Sequence, residues 1–147
     1  MSGGWEWTKE ATFPSKLGAH LPLLEEILGE LESRGWDGRD YFGVQMTLEE
    51  TLTNAIRHGN GNDPSKTVSV TCRLSGERFW MSVADEGEGF TPTQVPDCTA
   101  DENLMATGGR GMLLIQAYME DVSFNERGNQ INVATHRGFR PPASDED

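Results

Sequence analysis

Cysteine is scarce: Cys72 and Cys98 are the two in 147 residues. Neither belongs to a C-x-x-C pair or to a Cys/His metal spacing, so reduced thiols in a cytosolic protein are expected. No apolar segment is long enough to span a bilayer. The N-terminus has no basic region followed by an apolar run, so no secretion signal is expected. Basic charge is also short, with 12 Lys and Arg against 24 Asp and Glu and a formal net charge of -12. Without a basic patch, neither nucleic acid nor an anionic membrane is expected as the main partner. A nucleotide site in this acidic field would need local backbone dipoles and a metal to offset it. The two commonest nucleotide motifs are missing. There is no G-x-x-x-x-G-K-[ST], and no G-x-G-x-x-G sits inside a βαβ unit.

What is present suits one domain with a real core, rich in glycine at 17 residues. Trp5 and Trp7 alternate with polar residues up to Pro14, which predicts an edge strand over Gly4 to Pro14. Ser15 is then a candidate cap. Leu17, Leu21, Leu24, Ile27, Leu28 and Leu31 follow at helical steps, and Gly35 can end that helix. His20 on it reads as a surface or packing residue rather than a ligand. A second helix is expected from about Tyr41 to His58. The run Gly59 to Ser65 is dense in turn residues. Lys66–Leu74 and Arg78–Asp85 both alternate and make a hairpin around Ser75-Gly76-Glu77. Periodicity is lost from Glu86 to Gly109, the kind of long irregular segment that is functional or disordered. A short apolar helix then runs from Gly111 to Met119, and a hairpin over Asp121–Asn125 and Gln130–Thr135 closes the domain. Residues 1–136 are read as the domain and the acidic tail 137–147 as disordered. This element order predicts an α+β fold, a two-layer sandwich with helices on one face of a mostly antiparallel sheet.

Three clusters carry chemistry. On the second helix, Glu50, Asn54 and His58 are spaced four apart and share a face. Leu48, Leu52, Ala55, Ile56 and Gly59 form the apolar face. Asn is a mediocre helix former, so the polar row needs a reason. It fits either a solvated face or a base and a metal ligand aimed into a pocket. Asp85-Glu86-Gly87-Glu88-Gly89 follows a strand. Its glycines would let a flat ligand approach the backbone, and Asp85 could accept from an exocyclic amine such as adenine's. By itself this also fits an ordinary acidic turn. Thr107-Gly108-Gly109-Arg110-Gly111 enters a helix, where free amides favour phosphate. By itself it is equally a flexible loop before a helix.

In order, E-x-x-x-N-A-x-x-H-G, D-E-G-x-G-F and G-G-R-G-x-x-L-I resemble the three nucleotide boxes of the GHKL (Bergerat-fold) ATPases. The Trp-rich leading strand and the short gap between glycine boxes resemble the anti-sigma factor serine-kinase branch, the RsbW-like proteins. The resemblance covers about Trp5 to His136. It implies ATP and Mg2+ as cofactors. Glu50 matches the family's general base, and Asn54 its magnesium ligand. Asp85 matches the adenine-reading carboxylate, with Gly87 and Gly89 shaping the purine pocket. Gly109, Arg110 and Gly111 match the phosphate lid and helix start, and Met112 adjoins them. His58 matches a position near the nucleotide without an assigned chemistry. Glu49 is rotated about a hundred degrees off the Asn54 face, which favours Glu50 as base.

Two departures from the family pattern stand out. Gly128-Asn129-Gln130 replaces a Gly-Thr pair, which puts a hydroxyl contact in doubt, and the stretch Thr91 to Ala106 is acidic at Asp97, Asp101 and Glu102. The branch implies a cytoplasmic, homodimeric protein serine/threonine kinase. Such a protein inhibits a sigma factor or comparable target and phosphorylates a STAS-domain antagonist. A nucleotide-gated binding module with little turnover is the alternative. A sensor histidine kinase catalytic domain fits less well, since no His-bearing helix precedes the domain. A structural domain with glycine turns is the remaining reading.

Overall fold

The computed structural model describes residues 4–87, 111–126 and 128–140. Alternating side chains build the sheet. Its strands are β1 (Trp7–Pro14), β2 (Thr67–Leu74), β3 (Arg78–Ala84), β4 (Asp121–Phe124) and β5 (Gln130–His136), in the order β1-β2-β3-β5-β4. Every pairing is antiparallel, as in Val70 opposite Val83 and Met81 opposite Val133. On β2, Val68, Val70, Cys72 and Leu74 are buried, while Ser69 and Arg73 between them are exposed. One face of the sheet therefore carries the core and the other meets solvent, where Arg73 stacks on Trp80 and Arg78 on Trp5.

Helices α1 (Leu21–Ser33), α2 (Gly38–Asn54) and α3 (Gly111–Tyr118) cover the core face. Leu23, Leu24, Ile27 and Leu31 of α1, Val44, Leu48 and Leu52 of α2, and Ile115 of α3 join Phe79, Met81 and Val83 in one cluster. The α+β sandwich expected from the element order is the observed architecture, with a five-stranded, wholly antiparallel sheet among the described residues.

Local differences have physical causes. Helix α1 begins at Leu21 rather than at a Ser15 cap, because Gly18 takes a positive φ of 84° and turns the chain. Leu17 is left out of the helix and is 90% exposed, so its helical spacing was coincidental. Pro22 sits in the first turn of α1, where its missing N–H costs nothing. Trp7 packs against the core instead of standing free on the sheet edge. His20 is buried, with Nδ1 unpartnered among the described residues. Burial lowers its pKa, and the nearby Glu49 charge partly opposes this.

Residues 137–140, expected in the tail, bond to the domain. The Arg137 amide donates to the Glu77 carbonyl and its guanidinium to the Arg34 carbonyl. The Gly138 amide and the Arg140 guanidinium both reach the Asp40 carboxylate. Residues 137–140 are thus docked, while 141–147 lie outside the described residues. Cys72 is a buried thiol whose pKa burial raises, and Cys98 lies outside the described residues. No helix among the described residues is long and apolar enough to cross a membrane.

Candidate functional site

A cavity of about 510 Å3 opens where α2 ends over the site end of the sheet. That volume lies within the range of small-molecule sites. Thr51, Asn54, His58, Lys66, Asp85, Gly87, Asn129 and Gln130 contribute to its wall, together with apolar Val83, Ile115 and Ile131. Polar groups from α2, the hairpin strands and the β4–β5 turn converge on a partly apolar pocket.

The first wall is the end of α2. After Asn54 the backbone widens into a π-helical turn over Ala55–Gly59, closed by the Asn60 amide donating to the Ala55 carbonyl at 2.9 Å. Such turns recur at functional sites, because the extra residue re-aims the side chains that follow. The four-residue spacing of Glu50, Asn54 and His58 assumes uniform winding. It holds from Glu50 to Asn54, and across the wider turn Asn54 and His58 still line the same cavity. Thr51, also on the wall, bonds back to the Thr47 carbonyl at 2.8 Å. Glu50 sits one helical turn before Asn54, half-exposed, and is not among the residues lining the cavity. Glu49 is exposed, and its charge acts on His20.

The second wall is the turn after β3. Oδ1 of Asp85 accepts the Gly87 amide at 2.8 Å. The carboxylate lies against the α carbon of Gly59, where an added Cβ would collide with it. A Cβ on Gly87 would collide with the Gly59 carbonyl. Two backbones therefore approach each other as only glycines allow, and the carboxylate is seated between them. Burial pushes the Asp85 carboxyl above its ordinary value, while the Gly87 N–H and the Lys66 charge hold it down. Glu86 does something different. Its Oε2 accepts both the amide and the hydroxyl of Thr67 at 2.7 Å, which holds its pKa below the ordinary value.

The third wall is the β4–β5 turn. The Asn125 side chain caps it by accepting the amides of Gly128, Asn129 and Gln130. Asn129 then bonds the Asp85 backbone in both directions, accepting its N–H at 2.9 Å and donating Nδ2 to its carbonyl at 3.3 Å. The Gly-Asn-Gln sequence that departs from the family pattern is thus built into the wall through an amide.

Of the site residues expected from sequence, Asn54, His58, Asp85 and Gly87 meet at the cavity. Gly111 and Met112 open α3, and nothing further is described for their side chains. Gly89, Gly109, Arg110 and the stretch Thr91 to Ala106 lie outside the described residues. Lys66 and Asn60 carry no signal in the sequence, and Asn129 stands out there only as a departure from a Gly-Thr pair. Lys66 directly precedes β2 and reads as part of that strand's alternation. Both asparagines sit in turn-rich stretches, where Asn reads as a turn former. Among the described residues no group of three His, Cys, Asp or Glu side chains could hold a metal. The amide oxygen of Asn54 nonetheless suits a hard cation that takes most of its ligands from phosphate and water.

Adenosine triphosphate fits this chemistry. The cavity has the volume, and a carboxylate seated on its wall can accept from an exocyclic amine. Comparison with known proteins agrees. The chain is 24% identical over 105 residues to the serine/threonine-protein kinase BtrW of Bordetella bronchiseptica, covering 69% of this chain and 74% of the relative. It is 29% identical over 112 residues to the serine-protein kinase RsbW of Bacillus subtilis, covering 70% and 69%. It is 27% identical over 90 residues to the anti-sigma F factor of Anoxybacillus flavithermus, covering 59% of this chain and 61% of that protein. Residues 13–135 match the sequence model of the histidine kinase-like ATPase domain, and the chain belongs to that family.

Proposed function

We propose that this chain is an ATP-dependent serine/threonine-protein kinase acting as an anti-sigma-type switch. It sequesters a sigma factor or a comparable regulator, and so controls transcription. It phosphorylates a STAS-domain antagonist on a Ser or Thr hydroxyl. The relatives named as kinases and as an anti-sigma factor support this reading. One observation carries it: Asn54 and Asp85 lie on the wall of one cavity, with Glu50 a helical turn before Asn54.

Asp85 accepts the adenine amine and orients the base. Asn54 would hold a magnesium ion, which supplies charge neutralisation on the transferred phosphoryl group when bound. The partner's hydroxyl oxygen attacks the γ-phosphorus, the bond to the ADP oxygen breaks, and Glu50 takes the hydroxyl proton. A half-exposed base outside the cavity lining suits a protein acceptor that approaches from solvent. Gly89, Gly109, Arg110, Gly111 and Met112 complete the nucleotide contacts in this reading. The protein works in the cytoplasm as a homodimer, which light scattering checks through a mass of twice 16.2 kDa.

The position of Glu50 outside the cavity lining also favours a second reading, a nucleotide-gated binding module with little turnover. Labelled ATP, magnesium and a candidate STAS protein separate the two. Transfer of label to the STAS protein, reduced by about a hundredfold or more in Glu50→Gln, supports the kinase. Transfer at full rate in Glu50→Gln sinks the base assignment. Tight ATP binding with no transfer favours the module.

A further inference from the structure

The Asp85–Glu86 peptide unit is held at both of its polar ends by asparagine side chains. Its N–H, on Glu86, donates to Oδ1 of Asn60 at 2.7 Å. Its carbonyl, on Asp85, accepts Nδ2 of Asn129 at 3.3 Å. The preceding N–H, on Asp85, donates to the Asn129 carbonyl at 2.9 Å. Peptides are planar, so holding this unit at both ends and the preceding one at its N–H restricts φ and ψ of Asp85, and with them the direction in which its side chain leaves the backbone.

Asn60 is itself immobilised. It is buried, and Nδ2 donates to the Ser15 hydroxyl at 2.7 Å and to the Thr67 carbonyl at 2.9 Å. Its backbone closes the π-helical turn through Ala55. One amide thus joins four segments: the turn after β1, the end of α2, the start of β2 and the turn after β3. Every polar atom of that side chain is engaged, so it has no alternative partner to swing toward.

We infer that Asn60 and Asn129 are positioning residues that set the preference for adenine over guanine. The inference rests on the nucleotide reading above and adds to it. A carboxylate in a fixed place accepts from the amine of adenine and faces the carbonyl oxygen of guanine, two acceptors without a proton between them. Rejection requires that the carboxylate not retreat. A loosened turn would let it swing aside, and guanine would be tolerated.

The test is the ratio of ATP to GTP affinity, measured by calorimetric titration with magnesium for wild type, Asn60→Ala and Asn129→Ala. Circular dichroism checks the fold. For Asn60→Ala the ratio is expected to fall by about tenfold or more, as ATP affinity drops and GTP is better tolerated. For Asn129→Ala, whose backbone bond to Asp85 remains, a fall of about threefold is expected. Should Asn60→Ala fail to fold, Asn129→Ala carries the test alone. Ratios equal to wild type in the folded variants overturn the inference. Equal loss of both nucleotides also overturns it, since that is what a merely structural role gives. A wild type that binds ATP and GTP alike overturns the clamp and spares the nucleotide site. A wild type that binds neither overturns both.

Discussion

The two ends of the sheet are closed in opposite ways. At the end where β2 passes into β3, Trp36 is buried with its indole N–H on the Ser75 carbonyl at 3.1 Å. Arg137 ties the end of β5 to the Arg34 carbonyl after α1, and Asp40 at the start of α2 gathers Gly138 and Arg140. Large side chains fill that end. At the other end, glycines bring two backbones together, asparagine amides cross-link the turns, and about 510 Å3 is left open. The difference shows a division of labour. Bulk at one end supplies stability, and small residues at the other hold polar groups around empty space. Mutations at the two ends are therefore expected to separate stability from binding.

The largest effect on stability belongs to the filled end. Trp36→Ala removes a fully buried side chain and a hydrogen bond, and is expected to cost about 3–5 kcal/mol in denaturant unfolding. Nucleotide affinity of the folded fraction should stay near wild type. A large loss of affinity at unchanged stability would erase the contrast between the ends.

Gly87→Ala is expected to do the reverse in proportion. Its Cβ meets the Gly59 carbonyl, so the turn must shift, at about 1–3 kcal/mol of stability. Because that turn carries Asp85, ATP affinity should fall by about tenfold or more, read by titration of the folded protein.

The smallest expected effect is a pH dependence whose sign differs between neighbours. Asp85 has a folded pKa raised by burial, so the native state binds its proton more readily than the unfolded chain. Its ionisation therefore costs stability as pH rises through its elevated pKa, and Asp85→Asn should remove that slope. Glu86 has a lowered pKa through Thr67, so its contribution is present above the ordinary Glu pKa and is lost as pH falls through the folded value. Thermal melts across the acid range, for wild type, Asp85→Asn and Glu86→Gln, would show the two opposite slopes.

Legibility in the sequence divides along similar lines. The sheet and helices were readable because Val68, Val70 and Cys72 alternate, and Leu24, Ile27 and Leu31 repeat at helical steps. Asn54, Asp85 and Gly87 were readable because their spacing sits inside short motifs. Ser15 and Leu17 lie outside α1 despite fitting its pattern, since periodicity does not register the positive φ at Gly18. The winding change at Ala55 left no mark in the spacing. The roles of Asn60, Asn129 and Lys66 depend on residues far away in the chain, as when Asn60 meets Ser15 and Glu86. No local pattern encodes such meetings.

The contrast between the ends turns finally on Asp85. Calorimetric titration of magnesium and ATP into wild type and Asp85→Asn, in one buffer at neutral pH, measures it directly. A carboxylate seated for adenine requires saturable binding of one nucleotide per chain in wild type, and affinity lower by about tenfold or more in Asp85→Asn with the melting temperature undiminished. Equal affinity in the two proteins, or no binding to wild type at millimolar nucleotide, would contradict it.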